Sequence, residues 1–167
     1  MRVLGIDCGS EYTGYGVVEQ SDGRELVCCI CGAIKLRARD SMAAKLQKIF
    51  TELTQIIAEQ QPEIVAIEEV FYAVNVKSAL KLGQVRGVAM LAASSCGLPV
   101  AEYAPLAIKS SVVGYGKAEK HQVQNMVMRL LKLPLPPQPS DAADALAIAI
   151  CHIHTASTLQ KYQVARG

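Results

Sequence analysis

Val3-Leu4-Gly5-Ile6-Asp7-Cys8-Gly9-Ser10 is a short apolar run that ends on a carboxylate and a glycine turn, which predicts a buried strand leading into a tight loop. Working outward, Thr13–Glu19 and Arg24–Leu36 read as two more strands, joined around the hairpin signal Ser21-Asp22-Gly23. Met42, Leu46, Ile49, Phe50, Leu53 and Ile57 recur at three- and four-residue steps and predict an amphipathic helix over Ser41–Gln60, with Ser41 near its N-terminus. Pro62 ends it, and the continuous apolar run Ile64–Ile67 suits a strand covered on both faces. A second long helix is expected from Val76 to about Ser95, where Gly83 and Gly87 predict close packing against a neighbour. Pro99–Tyr103 is a short strand, and Leu106–Val113 and Glu119–Leu131 are helices either side of the loop Gly114-Tyr115-Gly116-Lys117. The proline-rich run Pro134–Pro139 is a stiff spacer, after which Ser140 caps a last helix from Asp141 to about Thr155. Three strands followed by helix, strand, helix, strand and helices predict an α/β fold. Its mixed five-stranded sheet should be an antiparallel meander extended by parallel strands, flanked by helices. No G-x-G-x-x-G or Walker lysine loop follows a strand, which excludes a doubly wound nucleotide-binding fold.

With 167 residues, 51% of them apolar and 19% charged, the chain is expected to form one domain over 1–155 with a polar tail over 156–167. A mean hydropathy of +0.23 excludes intrinsic disorder. The most apolar run, Ala142–Cys151, contains Asp144 and falls short of the ~20 residues of a membrane span. The apolar start stops at Asp7 without a cleavage site, so neither a leader nor a membrane partner is expected. Six cysteines without a secretory signal suit a reduced, cytoplasmic chain. Cys28-Cys29-Ile30-Cys31 and Cys151-His152-Ile153-His154 could together suggest zinc. Cysteines three apart on a strand should face opposite ways, however, and histidines two apart on a helix share no face. Net charge is only +2, but residues 70–132 hold eight basic and two acidic side chains, against nine and thirteen elsewhere. A basic middle between acidic flanks points to a polyanion on one surface and carboxylates gathered elsewhere.

Asp and Glu are rarely buried without a partner or a metal. Asp7 and the Glu68-Glu69 pair nevertheless end two interior strands, and the pattern leaves open which glutamate matters. Asp141 and Asp144 open a helix of Ala, Leu and Ile, three residues apart on one face. If these acids converge, oxygen-bound divalent cations would relieve their repulsion. Mg²⁺ suits such sites, and two ions ~3.5–4 Å apart would clamp both oxygens of an in-line phosphoryl transfer. No Ser–His or Cys–His constellation is evident, which favours direct attack by water.

Five stretches in order make the chain resemble the RuvC family of bacterial Holliday junction resolvases. They are Gly5-Ile6-Asp7-Cys8-Gly9-Ser10 with Thr13-Gly14-Tyr15-Gly16; Ala66-Ile67-Glu68-Glu69-Val70-Phe71; Ser78-Ala79-Leu80-Lys81-Leu82-Gly83-Gln84 with Arg86-Gly87-Val88; Val112-Val113-Gly114-Tyr115-Gly116-Lys117-Ala118-Glu119-Lys120 with Gln122-Val123; and Asp141-Ala142-Ala143-Asp144-Ala145-Leu146-Ala147. The resemblance implies a ribonuclease H-like fold and a homodimer making symmetric, Mg²⁺-dependent nicks in a four-way DNA junction, with 5′-phosphate and 3′-hydroxyl ends. It implies two Mg²⁺ per active site, with Mn²⁺ a substitute, held by Asp7, Glu68, Asp141 and Asp144 as catalytic acids, and so selects Glu68 over Glu69. It implies a branch-migration complex of the RuvA and RuvB type as a partner, in a bacterial cytoplasm. Phe71 matches an aromatic that stacks on an unpaired base, with Tyr72 beside it. Lys109 and Lys120 match basic positions near the scissile phosphate, and Lys77, Lys81, Arg86 and Lys117 are candidates for backbone contacts.

Three positions depart from the family pattern: Cys8 replaces a usual proline, Glu69 a frequent glutamine, and Tyr72 adds a second aromatic. Cys8 is thereby expected to leave its turn less rigid and open to oxidation or soft-metal binding, and the added charge of Glu69 either to alter metal affinity or to point outward. An actin- or sugar-kinase-like phosphotransferase would share the Asp7–Gly16 turn but needs two such domains. A non-catalytic junction-binding protein would not need four acids. A ribonuclease H-like nuclease acting on RNA–DNA hybrids would use the same chemistry, and the basic middle favours branched DNA over it.

Overall fold

The computed structural model describes residues 1–21, 25–69 and 75–164, with side chains to Leu159. Five strands, β1 (Arg2–Asp7), β2 (Tyr12–Gln20), β3 (Leu26–Lys35), β4 (Ile64–Glu68) and β5 (Val100–Tyr103), form one sheet in the order β3-β2-β1-β4-β5. The first three pair antiparallel, and β4 and β5 add parallel to β1, as the element order predicts. Asp22 and Gly23 of the expected hairpin signal lie outside the described residues.

Helices α1 (Met42–Gln60) and α2 (Val76–Ser95) cover one face of the sheet. Helices α3 (Pro105–Val113), α4 (Lys120–Leu130) and α5 (Ser140–Val164) cover the other. Local chemistry sets their starts. Ser41 Oγ accepts the Ala44 N–H at 3.2 Å, Asn75 Oδ1 accepts the Ser78 N–H at 2.9 Å, and Gln122 Oε1 accepts the Glu119 N–H at 2.8 Å in a capping box.

Helix α5 departs from expectation at both ends. Ser140 is its first residue rather than its cap, and the Pro139 carbonyl accepts the Ala142 N–H at 2.9 Å. Its far end runs to Val164 rather than about Thr155, because the polar residues after Thr155 include no Gly or Pro, and polarity alone does not stop a helix. Ser140–Leu159 is long and apolar enough to cross a membrane by composition. Here it is the core helix instead, with Ala142–Ala149 lying on β1 and β2 and Leu146, Ile150 and Ile153 wholly buried.

That seat depends on glycine. A Cβ at Gly5 would lie 2.0 Å from the Ala145 carbonyl oxygen, one at Gly14 would lie 2.1 Å from that of Asp141, and one at Gly16 would lie 2.7 Å from the Leu146 side chain. The α5 backbone therefore rests directly on the sheet.

Among the described residues, Gly83 and Gly87 do not find the close neighbour that their spacing predicts. A Cβ on either meets nothing within 4 Å, because α2 turns Val85, Ala89, Ala92 and Ala93 to the core and leaves both glycines exposed. The cysteine geometry also needs correcting. Val17 pairs with Ile30 but Val18 pairs with Cys28, so Cys29 is a bulge, and Cys28 and Cys31 pack against the same core on the α5 side.

Gly5→Ala is expected to cost about 3 kcal/mol or more in urea denaturation, at or above the usual overpacking penalty, because backbone meets backbone there. A variant as stable as its parent would mean that α5 is not seated on β1.

Candidate active site

The carboxylates meet because of strand register. Ile6 pairs with Ile67 in the parallel β1–β4 ladder, so Asp7 and Glu68 leave adjacent strands at the same edge. Across the antiparallel ladder Asp7 faces Gly14, and Gly14 touches Asp141 on the first turn of α5. Asp144 follows three residues later on the same helical face. Asp7, Glu68 and Asp144 line a cleft of about 220 Å³ together with Lys109 from α3 and Lys120 from the start of α4. Asp141 is not in that lining, although its charge acts on Asp7.

Crowding shows in the protonation chemistry. Burial first, then the charges of Asp144, Glu68 and Asp141, pushes the Asp7 carboxyl up to about 7. Glu68 is also raised, by burial and then by Asp144, with Lys109 and Lys120 opposing. Lys120 Nζ donates to Asp144 Oδ2 at 2.6 Å and places an ammonium against one of the acids.

The acids offer only carboxylate oxygens, which match a hard divalent cation rather than a soft one. The negative charge gathered around Asp7 is what such a cation would relieve. Among the described residues no three His, Cys, Asp or Glu side chains already close on one point.

The remaining candidates are distributed as follows. Arg86 is occupied: its Nε donates to the Glu68 carbonyl at 3.3 Å and its guanidinium pairs with Glu102. It therefore braces the end of β4, a role the sequence reading missed and for which only the helix spacing toward β4 could have been a signal. Lys77 and Lys117 are exposed and are not in the cleft lining, and Lys81 lines a different one. Phe71 and Tyr72 lie outside the described residues. Glu69 is not in the cleft lining, and its N–H donates to the Tyr103 carbonyl at 2.8 Å. Burial, then the Asp7 charge, pushes the Cys8 thiol up to about 12, which disfavours the thiolate through which oxidation proceeds. His152 Nδ1 bonds the Tyr103 hydroxyl at 2.8 Å and His154 Nδ1 lies 3.0 Å from the Ser111 carbonyl.

The sheet order, the antiparallel-then-parallel pairing and the acids at one edge beneath α5 define a ribonuclease H-like fold. The family model for "Crossover junction endodeoxyribonuclease RuvC" matches residues 3–152. The chain is 68% identical over 161 residues to the protein of that name from Koribacter versatilis, covering 96% of this chain and 97% of that one. It is 59% identical over 169 residues to the one from Acidobacterium capsulatum, covering 98% and 99%. The structure of Thermus thermophilus RuvC in complex with a Holliday junction substrate superposes with a TM-score of 0.87 at 30% identity, covering 95% of this chain and 96% of that one. The chain belongs to the RuvC family of crossover junction endodeoxyribonucleases.

Because the folded-state value of Asp7 is raised, folding favours its protonated form. That stabilisation is complete below about pH 4 and is lost as pH rises through about 7. Protein stripped of divalent cations should lose up to about 4 kcal/mol through this group between those limits. In EDTA at pH 8, Asp7→Asn should melt above its parent, with the two converging near pH 4. Melting curves offset equally at every pH would remove the buried-acid account.

Proposed function

We propose that this protein resolves four-way DNA junctions by paired, symmetric nicks during recombination and repair, leaving 5′-phosphate and 3′-hydroxyl ends. The observation that carries the proposal is the convergence of Asp7, Glu68 and Asp144 with Lys109 and Lys120 in one cleft. Residues 1–155 form the nuclease domain. Asp7, Glu68, Asp141 and Asp144 are the catalytic acids, and they hold two Mg²⁺, for which Mn²⁺ can substitute. When bound, these ions supply a more acidic attacking water and neutralise charge on the departing 3′ oxygen. Lys109 and Lys120 border the acids and seat the scissile phosphate. Water attacks directly, since among the described residues no Ser, Cys or His lines the cleft. Arg86 is a positioning residue that fixes the Glu68 backbone. Phe71 and Tyr72 stack on bases at the crossover, and Lys77, Lys81 and Lys117 contact phosphates.

Paired nicks need two active sites, hence a homodimer. The exposed face of α2 supports one: Val76 (76% exposed), Leu80 (65%) and Leu91 (56%) share it with Gly83 and Gly87, whose lack of side chains lets another helix approach closely. Family membership supports handover of the junction from a branch-migration complex of the RuvA and RuvB type in the cytoplasm.

Asp7→Asn is expected to abolish Mg²⁺-dependent cutting of a labelled four-way junction while binding falls less than about threefold, because acids hold metal and lysines hold phosphate. A variant that still cuts removes Asp7 from the reaction. Equal cutting of an RNA–DNA hybrid by the parent would favour the broader nuclease. Leu80→Lys with Leu91→Lys should sediment as a monomer and lose paired nicking; a persisting dimer would move the interface off α2.

A further inference from the structure

The charge tally by segment hides a second basic surface. Residues 35–48 carry Lys35, Arg37, Arg39, Lys45 and Lys48 against Asp40 alone, yet they fall within the acidic flank of the chain. Folding brings three of these cations to Lys81, from a different helix, in a cleft of about 440 Å³. Its walls come from the turn after β1 (Ser10), the start of β2 (Tyr12), the end of β3 (Lys35), the following loop (Arg37), the first turn of α1 (Lys45) and the second turn of α2 (Lys81). Among the described residues, Glu11 is its one acid.

Among the described residues, none of the four cleft cations has a carboxylate partner within 4.0 Å, whereas Arg2, Lys48, Arg86, Lys120 and Lys132 all do. Four cations facing one acid repel each other, and an anion in the cleft would relieve that repulsion. The scaffold beneath is anchored: Lys48 Nζ donates to the Lys35 carbonyl at 2.8 Å, and the Leu36 N–H to that of Glu11 at 2.8 Å. Tyr12 lies under Lys35, whose ammonium is 5.9 Å from the ring centre.

Position decides which anion. The carboxylate cleft opens on the α3–α5 side of the sheet edge and the basic cleft on the α1–α2 side. The turn from Asp7 to Ser10 joins them, and three residue steps span at most about 11 Å. An isolated small anion would occupy the basic cleft alone, whereas one polyanionic strand lying across the edge would enter both clefts.

We propose that this cleft is a phosphate-backbone site that grips the DNA strand continuous with the one being cut, a few nucleotides from the scissile phosphate. It reads no bases, because lysine and arginine on phosphate carry no sequence information. The assignment rests on the nuclease reading of the neighbouring cleft.

The test is a triple variant, Lys35→Gln with Arg37→Gln and Lys45→Gln, all away from the carboxylates, with a parent-like thermal melt as the folding control. Junction affinity is measured against salt in EDTA, so that binding is read without cutting. The slope of log K against log salt should fall by about 2 to 3, at roughly 0.9 per lost phosphate contact, and low-salt affinity by tenfold or more. Neutral methylphosphonate linkages placed two to four nucleotides from the cut should weaken the parent but not the variant. A parent-like slope, or equal sensitivity of both proteins to the neutral linkages, overturns the proposal. If the parent binds junctions with these responses yet never cuts them in Mg²⁺, the nuclease reading fails while the phosphate site stands.

Discussion

Helix α5 lies with its backbone on β1 and β2, and the rest of the molecule depends on that contact. Carbonyl oxygens of Asp141 and Ala145 occupy the space that side chains at Gly14 and Gly5 would fill. Helix packing normally passes through two layers of side chains; here one layer is missing and the helix sits correspondingly low. Its alanine-rich face completes the core on this side, while its first two turns carry Asp141 and Asp144 to the edge where β1 and β4 end in Asp7 and Glu68. Stability and chemistry share one interface.

Electrostatically the site works against the fold. Burial and neighbouring carboxylates both oppose ionisation of Asp7, so gathering these acids costs the fold stability at neutral pH. Lysines at the rim temper the field without abolishing it, and Lys120 answers one acid directly. A group of acids held this way is tolerated only where the surrounding core is well packed, as it is beneath α5. The two faces of the sheet divide the remaining labour, with acids and their lysines on the α3–α5 side and unpaired cations on the α1–α2 side.

Much of this was legible in order and period. Apolar runs ending in Asp7 and Glu68 gave interior strands, three- and four-residue steps gave α1, and the strand–helix alternation gave a mixed sheet of the observed kind. Where reading along the chain failed, it failed for three-dimensional reasons. The Gly83–Gly87 spacing marks one helix face, and that face points out of the chain rather than into its core, because periodicity reports a shared face without saying which way it points. Cys28 and Cys31 ended on one side because a single bulged residue reversed the alternation. Arg86 looked like a free cation and is held by Glu68 and Glu102, residues 18 and 16 positions away.

By itself the sequence determined most of the elements and the family, since each is written in local pattern or in motifs of fixed order. Only the tertiary structure decided which charges meet. Lys35, Arg37 and Lys45 average into an acidic flank along the chain yet join Lys81 in space, and Asp141 comes to Asp7 only because Gly14 leaves room above it. Charge and packing act through distance, and distance in a folded chain is set by register and helix seating rather than by separation in sequence.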